Sequence, residues 1–447
     1  MVDLVPLLLA AGVIVLWCLG LYALQRRGLL EPRGLSPSPP PAGPFLMWKT
    51  VRGRNLIDRL ARPKRFWRIF GDVAILLVAL TMVGTTVLLA WEATLVQSAA
   101  IRGNPPPPET LLGLPGINPI IPVGYGILGL AVAIILHEFS HGILSRVANI
   151  KIRSLGLIFL IFPIGAFVEP DEDELRALSR RERARLYAVG PATNVLLAIF
   201  FAALFSTVMV TSVVPVHDGV GIIGFTNNTS PALLAGMQPY TVITAVNGTA
   251  VHTQSDFVAA LAALQLDTTI PVVAFDPANG NTTTYPVTPR VRNPSTGRAV
   301  LGIYAFDVST DYYHPLTNPA RFDGVPRALL AFVSLPFSGY SPIGDPATRF
   351  YQIQGPAAAI PAPLFWLIVN ALYWLFWLNL MLGATNALPA VPLDGGYIFR
   401  DGIESLVSRF RKGMPVEARD RIVRGLSYTF AFLILALVLW QLIGPRI

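Results

Sequence analysis

Apolar runs of about 20 residues recur along this chain, each long enough to cross a bilayer core as a helix. They lie at Leu4–Leu24, Val73–Val96, Val123–Val147, Leu186–Val213, Pro363–Leu388 and Leu426–Ile443. The pattern predicts a polytopic α-helical membrane protein with about six transmembrane helices. The first run is too long for a signal-peptide core and lacks a basic n-region and a cleavage site, so it is expected to be retained. Between 214 and 300 the pattern changes to short β-branched runs separated by Asn, Gly and Thr, which predicts an α+β domain without a span. Ser154–Leu175 is apolar and β-prone, but Pro163 and Gly165 argue against a spanning helix. Leu35–Pro44 and Asn104–Gly116 are proline-rich and are expected as extended spacers. The role of 301–362 stays open; its Pro326–Tyr340 part is apolar but broken by proline.

Composition supports the membrane reading. Of 447 residues, 53% are hydrophobic and 13% charged, against about 25% charged in soluble domains. Charge then orients the spans. Segments 25–72, 146–185 and 389–425 hold 11, 8 and 7 of the 34 Lys and Arg. Basic residues beside spans favour the cytoplasm. The N-terminus and 214–362 are therefore expected outside a cell membrane, with the basic loops inside. The net charge of +8 is explained by that topology, and no nucleic-acid partner is expected. Cys18 is the single cysteine, which excludes a disulfide framework and a zinc site built on several thiolates.

Ser230–Leu261 reads as a short helix, a turn, a strand at Val242–Val246, an Asn-Gly turn and a second helix. It resembles the PDZ domains of bacterial and archaeal proteases through Ser230-Pro231-Ala232, Ala235-Gly236 and Val246-Asn247-Gly248. Tyr240-Thr241 stands where those domains usually carry Gly-Asp. A PDZ fold would imply a peptide ligand held along a strand edge.

The candidate chemistry lies in HEFSH, at the end of the third apolar run. Ionisable groups at membrane depth are functional candidates by default. His137 and His141 are four apart, on one helix face, and Glu138 sits about 100° round from His137. This is the H-E-x-x-H arrangement, with two nitrogen ligands for zinc and a carboxylate beside them. From composition, its chance occurrence is on the order of one in a thousand. Zinc in a hydrolase wants a third protein ligand. His217, His252 and His314 fall in the outer segment, on the wrong side of the membrane. Asp394 in Asn386–Arg400 follows a span running in the same direction as the HEFSH helix, so it is the better candidate. The alternative is that Asp394 only caps the following helix.

Together, His137–Gly142 (HEFSHG), Asn386–Gly395 (NALPAVPLDG) and Gly190-Pro191-Ala192-Thr193-Asn194 resemble the site-2 protease family of intramembrane zinc metalloproteases, M50-type. The prolines of the second motif, Pro389 and Pro392, are three apart here instead of two. The resemblance covers roughly 120 to 425 with a PDZ-like insertion. It implies one Zn2+ per chain on His137, His141 and Asp394, and Glu138 as catalytic base. It further implies Asn194 and Asn386 against the substrate backbone, and a β-hairpin-like element at Ser154–Leu175 dipping into the membrane. The expected substrates are membrane-anchored, single-span proteins cleaved within or near their spans.

The expected organisation is two accessory helices with a Pro/Arg-rich loop (1–100), a first core half (120–213) and the PDZ-like domain (214–300). An outer linker or gating region (301–362), a second core half (363–425) and a C-terminal span (426–447) follow. The competing class is a non-catalytic zinc-binding receptor or a metal transporter. Transporters usually spread ligands along a path over several helices, whereas these groups converge at one depth.

Overall fold

The structure, a computed structural model, describes residues 4–38, 43–98, 105–111, 113–160, 162–294, 296–310, 313–314, 316, 318–338, 344–411 and 413–447. The chain opens with α1 (Leu4–Arg26), β1 (Leu35–Ser38), β2 (Phe45–Thr50), α2 (Arg54–Leu60) and α3 (Lys64–Leu95). Next come α4 (Val123–Val147), β3 (Ile152–Leu160), β4 (Phe162–Pro170) and α5 (Arg180–Ser212). A strand-rich stretch holds β5 (Val213–Pro215), β6 (Val220–Phe225), β7 (Val242–Val246), β8 (Thr249–Ala250) and α6 (Gln254–Ala262). It continues through β9 (Ile270–Asp276), β10 (Asn281–Val287), β11 (Ile303–Asp307), α7 (Val325–Ser334) and β12 (Tyr351–Ile353). The chain closes with α8 (Ala362–Asn386), α9 (Asp394–Phe410) and α10 (Val416–Ile443).

Five helices, α3, α4, α5, α8 and α10, are long and apolar enough to cross a membrane. Their positions follow the apolar runs, and α4 matches its run end for end. The remaining run forms α1; its side chains are described from Gly12 onward, and Gly12–Arg26 alone falls short of a span. Most of these helices extend past the apolar run on the side where Arg and Lys lie. α3 begins at Lys64 and α5 at Arg180, because long basic side chains continue a helix at little cost.

Two compact units divide the chain. The first comprises Met1–Phe200 and Leu375–Ile447. Its sheet has the order β1-β2-β3-β4, with every pair antiparallel. The stretch expected to form a hairpin does so as β3 and β4. The partner strands are a departure from the sequence reading. Leu35–Ser38, expected as spacer, is strand β1, and β2 pairs with β3 from Leu46↔Phe159 to Thr50↔Leu155; residues 39–42 lie outside the described ones. Pro37 is tolerated because β1 is an outermost strand, where proline's missing donor breaks no ladder. Residues 108–111 of the other proline-rich stretch form a single 3-10 turn.

Packing of α2 under α4 and the hairpin buries Ile57, Ile143, Val147, Ile152 and Val189. Small residues, Ala74, Ala188, Ala192 and Ala387, make a second cluster that lets helices approach closely. Ion pairs fasten α3 to α5: Arg181 Nη2 lies 3.0 Å and Arg185 Nη2 2.7 Å from Oδ2 of Asp72.

The second unit, Phe201–Trp374, contains a sheet of order β10-β9-β7-β6-β11 with β8 attached to β7. Its core is Val220, Ile222, Met237, Ile243, Val272 and Val287, each with no exposed surface. Asn247 and Gly248 take positive φ in the turn from β7 to β8, as an Asn-Gly hairpin turn requires. A reciprocal cap starts α6: the Asp256 N–H donates to Thr253 Oγ1 (3.2 Å), and the Thr253 N–H donates to Asp256 Oδ2 (2.9 Å). The proline-broken stretch beginning at Pro326 forms α7, which buries Ala328 and Phe332 and exposes Leu329 and Leu330.

Candidate metal centre

Three segments of the first unit meet at one point. On α4, the i, i+4 spacing sets the rings of His137 and His141 edge to face, with centroids 4.8 Å apart. Ser140, on the same helix, reaches Thr193 of α5 at 2.9 Å between hydroxyl oxygens. That contact ties the HEFSH turn to the Gly-Pro-Ala-Thr-Asn turn.

The latter turn then shapes the site in three ways. Gly190 leaves room: a Cβ there would overlap Nε2 of both His137 and His141. Pro191 lies inside α5 and cannot close the helical bond onto Tyr187. In the same loosened turn the Leu186 carbonyl accepts Nδ1–H of His141, at 2.8 Å. Asn194 has no exposed surface, and its amide lies 3.3 Å from Nδ1 of His137. Its Oδ1 has no partner among the described residues. Turning the amide over gives Nδ1–H of His137 an acceptor and frees Nε2 as the ligand nitrogen.

Asp394 arrives from the end of α8. The helix ends at Asn386, residues 387–393 form a turn, and α9 starts at Asp394. Gly395 and Gly396 are buried against this turn, where a Cβ on either would strike the backbone of Ala387 or Ala390. Only glycine allows α9 to begin so close to the preceding turn. The Asp394 side chain accepts no capping bond from α9; its neighbours are the two imidazoles.

Nε2 of His137 and Nε2 of His141 lie 3.2 Å apart, and Oδ2 of Asp394 lies 3.1 Å and 3.3 Å from them. Two imidazole nitrogens whose other nitrogens carry the proton face each other with lone pairs, which calls for a cation between them. A tetrahedral zinc with bonds of about 2.0–2.1 Å spaces its ligands about 3.3–3.4 Å apart. The three atoms therefore fit one face of such a site, and no other group of His, Cys, Asp and Glu among the described residues converges in this way.

Glu138 is half-buried beside this triangle, and its Oε2 accepts the Val168 N–H of β4 at 3.1 Å. Asn386 lies at the end of α8, where its amide donates to the Leu382 carbonyl of its own helix, at 3.1 Å. Of the six residues singled out in the sequence, His137, His141, Asp394 and Asn194 thus come together, Glu138 adjoins them, and Asn386 makes a local contact. His217, His252 and His314 belong to the second unit.

The sequence model of Peptidase family M50 matches residues 125–435, about 70% of the chain. The chain belongs to peptidase family M50. Both motif halves fall inside that match. An uncharacterized protein of Methanocaldococcus jannaschii is 23% identical over 398 residues, covering 89% of this chain and 85% of its own length. A Clostridium perfringens protein provisionally named a zinc metalloprotease is 25% identical over 324 residues, covering 66% of this chain and 86% of its own length. Family membership and this second relative support a zinc metalloprotease, and the apolar helices support a membrane protein.

Sequence reasoning missed two contributors, the Leu186 carbonyl and the Val168 N–H. Both are backbone groups, identical in every residue type, so only the strand period around Val168 and the proline after Leu186 hinted at them.

Proposed function

We propose that this M50 member is an intramembrane zinc metalloprotease that hydrolyses peptide bonds within or near the spans of membrane-anchored, single-span proteins. One observation carries the reading: the converged His137, His141 and Asp394 triangle, with Glu138 beside it, is built from helices apolar enough for a bilayer.

His137, His141 and Asp394 would hold one Zn2+ per chain, which when bound supplies Lewis acidity toward water and the scissile carbonyl. Leu186 and Asn194 fix the imidazole tautomers so that both Nε2 atoms point at the centre. Glu138 takes the proton from the attacking water as its oxygen bonds to the carbonyl carbon, and passes that proton to the amine as the C–N bond breaks. The Val168 N–H holds the Glu138 carboxylate in place and leaves its other oxygen for the proton. β4 offers a strand edge along which an unwound substrate segment pairs. Asn386 acts on the substrate backbone near the site, as the family resemblance implies.

The sheet of the second unit serves as a PDZ-like module outside the membrane, binding an extended peptide or tethering substrate. The strand, turn and capped helix at 242–262 support this reading, and the Lys/Arg distribution supports the orientation, with the metal centre near the cytoplasmic face of a cell membrane.

In zinc-loaded full-length protein, Glu138→Ala is expected to lower cleavage of a single-span reporter by about 100-fold or more with zinc stoichiometry unchanged. Full cleavage by that variant would remove Glu138 as the base. Zinc flux into liposomes without proteolysis would point instead to a transporter.

A further inference from the structure

A cavity of about 850 Å³ opens beside the metal centre. Val168, whose N–H holds Glu138, lines it, as do Glu169 and Pro170, the next residues of β4. Tyr187 and Tyr397 also line it, with rings stacked 4.8 Å apart at 17°. Tyr187 follows the carbonyl that holds His141, and Tyr397 lies one turn beyond Asp394. Both β4 and α9 thus run from the centre into the cavity.

The charged groups on its wall are nearly all spoken for. Arg183 Nε lies 3.0 Å from Asp401, Arg176 pairs with Glu172 at 3.0 Å, and Glu169 lies 3.3 Å from Lys49. Arg400 is different. Its guanidinium lies over the Tyr397 ring, 5.3 Å from the centroid, and it has no anionic partner among the described residues. A half-buried guanidinium without an anionic partner, placed over an aromatic ring, is pre-set for a carboxylate.

Resting on the proteolytic reading above, we propose that Arg400 is a specificity residue, and that this cavity takes the substrate segment flanking the scissile bond and selects an acidic side chain in it. The register follows from helix geometry. Arg400 lies six positions after Asp394, about 9 Å along α9. An extended peptide rises about 3.3 Å per residue, so the acidic residue sits about three residues from the cut bond. The choice of charge has a further effect. Cytoplasmic flanks of membrane proteins are rich in Lys and Arg, and an unpaired Arg repels them. The cavity therefore rejects ordinary spans as well as admitting the acidic ones.

The test uses zinc-loaded full-length protein in lipid nanodiscs. Single-span reporters carry Glu, Gln or Lys at each of about six positions on either side of a cleavage site mapped by mass spectrometry. The expected result is a Glu-to-Lys ratio in kcat/KM of about tenfold near the third position on one side. Arg400→Gln brings that ratio close to one, and Arg400→Glu reverses it. Each ratio is taken within a single variant, so partial loss of folded protein cancels. Cleavage with ratios near one at every position overturns the inference alone, as does a preference that survives Arg400→Gln. Failure to cleave any reporter overturns the proteolytic reading, and this inference with it.

Discussion

Gly190 contributes to the candidate metal centre by having no side chain. Its Cα lies against the nitrogens of His137 and His141, so a methyl group there competes with the imidazoles for space. Gly190→Ala is expected to drop zinc content from near one equivalent to a small fraction, with far-UV circular dichroism unchanged; metal analysis by mass spectrometry checks it. Retained zinc would mean that the two helices separate easily, contrary to the close alanine packing at Ala188 and Ala192. At this scale much of the site was legible. The two histidines share a helix face by period alone, and Asp394 follows from the need for a third ligand at the same depth. Asn194 was legible as a motif member, but its contact with Nδ1 of His137 was not. Sequence spacing brings residues to a face, whereas an interhelical contact depends on where two helices cross.

At the scale of elements, the helical runs were legible because a bilayer-length apolar stretch has few alternatives. The β1–β2 hairpin was not. Its prolines read as extended spacer, and β2 shows no clean alternation, since both of its faces are partly covered: Met47 and Lys49 are half-buried and Phe45 and Trp48 exposed. What made it a strand is pairing with β3, more than 100 residues away. The capped helix α6, by contrast, follows from local chemistry, and it carries a pH dependence. Hydrogen bonds from the Thr253 side chain and the 252–253 backbone hold the Asp256 carboxyl below its ordinary value of 3.8. A carboxyl lowered on folding stabilises the fold fully above its unfolded value and loses that contribution as pH falls through the folded one. The protection of α6 amides relative to their intrinsic exchange rates is therefore expected to fall as pH drops from about 5 toward 3. Asp256→Asn should flatten that response.

At the scale of the whole molecule, the asymmetry in basic residues makes a claim about sidedness. With Cys18 replaced by Ala, a cysteine introduced at Thr282 is expected to react with a membrane-impermeant maleimide in intact cells. One at Ser179 should react only after permeabilisation. The opposite pattern would invert the topology and place the second unit in the cytoplasm. Ion pairs in the basic segments, Asp72 with Arg185 and Asp401 with Arg183, show that some of this charge is used in packing, besides the orientation expected of it. Charge counts alone gave no sign of that second use.

The strand pairing in the first unit also bears on where the working enzyme begins. The match to the family starts at residue 125, yet the sheet that holds Glu138 through Val168 starts at Leu35. A gene trimmed to the recognisable family segment would lack two of four strands and leave β3 with a bare edge, one strand away from the Val168 that holds Glu138. For this chain, the boundary that comparison draws around the catalytic machinery and the one that hydrogen bonding draws are about 90 residues apart. The N-terminal extension is less a separable attachment than a brace grown into the enzyme.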